Sequence, residues 1–163
     1  MMEPITRHSI TRAAEEAVKL WALASTEYPK QHDAACDLAA VIIIETISTF
    51  ALNARRAMEV LPASQKFQLD QKRWQPPQHD AEIVNDLWEG LHRIIHAQKL
   101  DTLFVDIPKE QAHVLAGSLV VTYVQAATDR KKLALIDPFA LSHAFLYGAL
   151  PLLIALEQTS RKD

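Results

Sequence analysis

A chain of 163 residues is long enough to bury a core as one domain. With 49% hydrophobic and 23% charged residues, its composition is globular rather than disordered. A formal net charge of -3 excludes a bulk positive field toward nucleic acid or anionic lipid, so any RNA contact must come from a local patch. The single cysteine, Cys36, excludes an internal disulfide and four-cysteine zinc sites, and its setting in "DAACDLAA" reads as a small buried apolar residue.

The opening "MMEPITRHSITRAAEEAVKLW" has no uninterrupted apolar segment and no small-residue cleavage site, so no targeting signal is expected and the expected location is cytoplasmic. Only three glycines and several proline-free stretches favour helices. The first is expected from about Ile10 to Tyr28, capped by Ser9 or Thr11 and stopped before Pro29, with Ala13, Ala17, Leu20, Trp21 and Ala24 on its inner face. The second is expected from Asp33 to Leu61. Because "AAVIIIETISTFAL" is apolar nearly all round, it reads as the central, most buried helix. A polar loop, "ASQKFQLDQKRWQPPQHD", leads into a third helix at His79 or Asp80, running to about Lys99 with Asp80 as cap. In that loop "QKRWQ" interleaves Lys72 and Arg73 with Trp74, a combination used by single-strand binders.

Beyond residue 100 the pattern changes. "TLFVDI" and "SLVVTYVQAATDRKKLALIDP" are rich in β-branched residues, and "TDRK" between two such runs suggests a hairpin, with helix as the alternative for residues 109–127. A final helix follows Asp137 as N-cap and Pro138 at its first position. Its segment "FALSHAFLYGALPLLIAL" sits at the lower edge of a membrane span but holds Ser142, His143 and Pro151. It therefore reads as a buried helix kinked or interrupted near Pro151, with no membrane partner. The expected fold class is mainly α: an antiparallel helical bundle in one domain, 1–163, with residues 101–137 as a β-rich elaboration before the C-terminal helix.

The chemical lead is "LWEGLHRIIHAQ". On a helical projection Val84, Leu87, Trp88, Leu91, Ile94 and Ile95 form the core face. Asn85, Glu89, His92 and His96, spaced four, three and four apart, form a polar stripe beside it, with Arg93 and Asp86 further toward solvent. The second helix carries Glu45, Thr49, Asn53 and Arg56 away from its apolar side of Ile43, Ile47, Phe50, Ala54, Met58 and Leu61. If the two stripes share a cleft, Glu45 and Arg56 meet Glu89, His92 and His96. The plainer alternative is the solvated flank of an amphipathic helix, in which Glu89 and Arg93 form an ordinary i,i+4 pair.

Three chemistries fit such a stripe. Glu89-x-x-His92 and His92-x-x-x-His96 could bind one ion, as in a metal-dependent bundle hydrolase, but further ligands would have to come from His32, Asp33 or His143, and no cofactor or metal is expected. Imidazole and guanidinium together could cleave RNA without metal. The stripe could instead be a non-catalytic interaction or regulatory surface, buried in a homodimer or against another protein partner.

At "GLHRIIHAQ" the chain resembles the final-helix motif of the HEPN superfamily, small helical bundles of toxin–antitoxin, abortive-infection and RNA-processing systems. "FALNARRAMEVLP" resembles that family's long inner helix. His96 matches the motif histidine and His92 the polar residue after the motif arginine, whose own position is Leu91. The resemblance implies an RNA-directed role of defence or toxin–antitoxin type, either as a divergent metal-independent ribonuclease or by binding without cleavage, and a homodimer with facing motifs. It implies His96 as acid/base, Arg93 or Arg56 as phosphate stabiliser, and His92, Glu89 and Glu45 as orienting groups, with Asn85 beside them for substrate.

Overall fold

The computed structural model describes residues 2–77 and 80–160, and is mainly helical with a small mixed sheet. Helix α1 spans Pro4–Ala24. It starts six residues before the expected Ile10, because Pro4 at the first helical position has no N–H to leave unsatisfied. Neither Ser9 nor Thr11 caps it. Ser9 is buried mid-helix, and Thr11 donates its hydroxyl to Arg7 O at 3.3 Å. Tyr28 and Pro29 then form a two-residue strand, β1.

Helix α2 spans Asp33–Met58. His32 caps it, Nδ1 accepting from Ala35 N at 3.1 Å. Ile43, Ile47, Phe50, Ala54, Met58 and Leu61 are all buried, as their spacing predicts. The expectation of a wholly buried central helix is not met: Leu38, Val41, Ile42 and Leu52 are exposed on the opposite face. α2 packs on α1 and α3 from one side, and among the described residues nothing covers these side chains on the other.

The loop after α2 ends in a strand rather than in helix. Glu82–Ile83 form β2, parallel to β5 (Ala134–Ile136). Helix α3 is therefore only Leu87–Ile95. Asp80, expected as its cap, is exposed and pairs with Lys132 at 3.2 Å, while His79 lies outside the described residues. Asp86 is the cap in its place, Oδ2 accepting from Glu89 N at 3.2 Å.

The β-rich stretch is strand, which removes helix as the alternative for residues 109–127. Strands β3 (Lys99–Ile107) and β4 (Ser118–Ala127) pair antiparallel along their length, with a bulge at Leu103/Phe104. β5 returns antiparallel on Val124–Ala126, making the expected hairpin. β3 occupies one whole edge of β4, so β1 and β5 share the other edge. The sheet is thus larger than an insertion at 101–137, because β1 and β2 come from outside it. Glu27 pins the loop between β3 and β4: its Oε2 accepts from His113 N at 2.8 Å and from Ser118 Oγ at 3.0 Å. The His113 ring Nδ1, 2.9 Å from Glu27 Oε1, and then the His113 N–H hold the Glu27 carboxyl below its usual range.

Asp137 and Pro138 open α4 (Pro138–His143) as the sequence predicts, Asp137 Oδ1 accepting from Ala140 N at 3.0 Å. A π-helical turn follows over Ala144–Ala149 before α5 resumes over Leu150–Ser160. Leu150 N–H reaches back five residues to Phe145 O, and Pro151 has no N–H to restore the regular ladder. The interruption falls where Pro151 predicts it. The predicted burial of this last stretch is not met, since α5 buries only Leu153 and leaves Leu152, Ile154 and Leu156 exposed. Asp33–Met58 and Pro138–Ser160 are each long and apolar enough to cross a membrane; core helices of soluble proteins pass the same test of length and composition.

Candidate functional site

Helix α3 is held at both ends by its own sequence. Asp86 caps it and also accepts from Phe67 N through Oδ1 at 3.3 Å, which ties the preceding loop to the helix start. Leu87, Leu91 and Ile94 are buried, Trp88 and Ile95 half-buried. The helix ends at Ile95, so His96 is its C-cap, with its N–H on His92 O at 3.1 Å. His92 and His96 lie on one side, their ring centroids 4.4 Å apart.

An open groove of about 580 Å³ runs beside this pair, lined by Arg55, Lys66, Gln68, Trp88, His92 and Lys131 together with Asp86 and Glu89. Around His92 and His96 it adjoins a second hollow of about 350 Å³, walled by Thr128, Arg130 and Lys131 of the β4–β5 turn. The Arg55 guanidinium lies over the Trp88 ring, 5.0 Å from its centroid, and Trp88 Nε1 donates to Gln65 O at 2.9 Å. Partial burial lowers the His92 pKa from its ordinary value. His96 and Lys131 lower it further, against the opposing pull of Glu89.

The predicted residues divide. Glu89, His92 and His96 do share one side of α3, as their spacing requires. Arg93, expected toward solvent, is instead 4% exposed. Its Nε donates to Glu89 Oε1 at 2.7 Å, its Nη2 pairs with Glu82, and its Nη1 donates to Lys132 O at 3.3 Å. β2 creates this arrangement by bringing Glu82 to the inner side of α3. Asn85 precedes the helix and is bonded to Lys72 and Ile83 O, so it does not continue the stripe.

The stripe of α2 does not enter the groove. Glu45 is exposed on the outer face, and Arg56 lines a different cavity with Met2, Glu3 and Leu156. Its neighbour Arg55 takes the expected place. The cations the sequence reading missed are Arg55 and Lys66. "ARRAM" offered two candidate arginines, and only the packing side of α2 selects between them. Lys131 belongs to the run "DRKK", which reads as a solvated turn that could also touch phosphates; its fold-back onto α3 brings it to the groove.

Among the described residues, no three His, Cys, Asp or Glu side chains converge as ligands for an ion. The extra ligands considered for His92 are engaged elsewhere: His32 caps α2, and His143 stacks on Tyr147. In "QKRWQ" the arginine is already engaged with another ring. Trp74 is half-buried with its carbonyl accepting from Tyr123 Oη at 2.7 Å, and Arg73 lies 3.8 Å from the Phe139 ring centroid. Comparison with known proteins finds no matching family model, curated relative or solved structure.

Proposed function

We propose that this protein acts on RNA through the groove beside α3, with His92 and His96 as the proton-transfer pair of a metal-independent cleavage. The observation that carries the reading is a pair of imidazoles 4.4 Å apart, one of which, His92, lines a groove together with Arg55, Lys66 and Lys131, while His96 lines the adjoining hollow with Lys131. His92 takes the proton of the 2′-hydroxyl, whose oxygen attacks phosphorus. His96, exposed at the helix end, protonates the departing 5′-oxygen. The products are a 2′,3′-cyclic phosphate and a 5′-hydroxyl. The lowered pKa of His92 keeps it unprotonated and ready as base, and Lys131 and Arg55 offset the charge that builds on the phosphoryl oxygens. Arg93 has no direct role: its guanidinium holds Glu82 and Glu89, and so positions α3. The antiparallel bundle of α1, α2 and α3, the HEPN resemblance with its defence or toxin–antitoxin setting, a cytoplasmic location and a homodimer belong to the same proposal.

The test is incubation with RNA in the presence of EDTA. Cleavage leaving cyclic phosphate ends is expected, with a loss of about a hundredfold or more in His92→Ala and in His96→Ala. Undiminished cleavage in both variants overturns the assignment. One observation favours a second reading, RNA binding without cleavage: the arginine nearest the histidines is wholly engaged in ion pairs. That reading predicts retained RNA binding and no product.

A further inference from the structure

A further hollow, distinct from the one around His96, adjoins the groove at Lys66. It holds about 280 Å³, just below the roughly 300 Å³ at which pockets begin to take drug-sized ligands, and so suits a single heterocycle. One wall is the π-helical turn. It sets the His143 and Tyr147 rings 4.6 Å apart and within 22° of parallel, and leaves Tyr147 68% exposed. Trp21 supports the pair from behind, 5.8 Å from His143. The exposed Tyr147 ring offers a face to a planar ligand, and π turns recur at functional sites. The opposite wall is the loop after α2, where Gln68 and Asp70 present an amide and a carboxylate, with Phe67 at the back. Lys66 lines both this hollow and the groove that contains His92.

We propose that this hollow takes one unpaired nucleobase bearing an exocyclic amino group (guanine, adenine or cytosine) and thereby sets the register of an RNA strand whose backbone follows Lys66, Arg55 and Lys131 to the histidines. The base stacks on Tyr147, and the Asp70 carboxylate accepts from its amino group; uracil offers only a ring N–H set between two carbonyl oxygens that repel the carboxylate. The inference rests on the RNA reading above and adds to it a second site and a base preference.

The test uses fluorescent single-stranded oligo(A), oligo(C), oligo(G) and oligo(U) RNA with the full chain. Wild type is expected to bind the three amino-bearing homopolymers more tightly than oligo(U). Tyr147→Leu is expected to weaken them by about tenfold while Tyr147→Phe does not, and Asp70→Asn to narrow the gap to oligo(U). Tyr147 and Asp70 are both exposed, so neither variant threatens the fold. If Tyr147→Leu binds all four like wild type while Lys131→Ala binds weakly, the base pocket is overturned and the RNA groove survives. If wild type binds none of the four, both fall.

Discussion

Arg93 Nε lies 2.7 Å from Glu89 Oε1 one helical turn away, and the guanidinium so held is almost fully enclosed between α3, β2 and the β4–β5 turn. It joins α3 to the neighbouring β2 and to the β4–β5 turn, 39 residues further on, so its main contribution is to stability. Because Glu82 and Glu89 keep substantial contact with water, its removal strands no buried charge, and the cost is that of lost charged hydrogen bonds and packing. Arg93→Ala is expected to lower unfolding free energy by about 2 kcal/mol. Urea denaturation at constant slope measures it, and an unchanged midpoint would show that the ion pairs do not hold this corner together.

His92 makes stability depend on pH with a definite sign. Its folded pKa lies below the ordinary 6.5, mainly through burial, so below that value the unfolded chain binds more protons than the folded one. Stability therefore falls as pH drops through the ordinary value toward the depressed one, and is unaffected by this group above it. His92→Gln should flatten that slope between about pH 7 and pH 5 relative to wild type. Parallel slopes for the two proteins would contradict the shift.

Asp137 behaves in the opposite sense. Its side chain is buried and Oδ2 has no hydrogen-bond partner, so burial raises its pKa despite the bonds from Ala140, Phe139 and Arg73. The folded state then binds the extra proton, and this group's contribution is fully present below the ordinary carboxyl value and lost as pH rises through the raised one. Asp137→Asn keeps an oxygen to cap Ala140 N and removes the unpaired charge, so it should match or exceed wild-type stability near neutral pH. Asp137→Ala loses the cap and should cost about 1 kcal/mol. Thermal melts of the two variants decide the order.

Two glycines make a matched pair. A Cβ on Gly148 would stand 2.8 Å from Phe67 Cδ1, the edge of a buried ring beside the base hollow. Gly148→Ala is expected to destabilise by about 2 kcal/mol through overpacking. A Cβ on Gly90 would meet Leu141 Cδ1 at 2.7 Å, the end of a side chain with other rotamers. There the gain of about 1 kcal/mol in helix propensity offsets part of the clash, so Gly90→Ala should be the milder variant. A larger loss of melting temperature at Gly90 would reverse this ranking.

Local periodicity was legible along the chain: the buried faces of α1 and α2, the α3 core residues, the hairpin, the Asp137–Pro138 start and the break before Pro151. Each follows from side-chain spacing or from a missing N–H, which act within a few residues. The remaining features depend on contacts between elements. Glu82 and Ile83 are strand because β5 supplies a parallel partner some fifty residues away. α2 is half open because, among the described residues, no third layer covers its apolar outer face. Arg55 rather than Arg56 meets the histidines because a helix projection orders residues around an axis but does not say which neighbour stands on which side. Arg93 is enclosed rather than solvated for the same reason: its ion-pair partner Glu82 and the β4–β5 turn arrive from elsewhere in the chain.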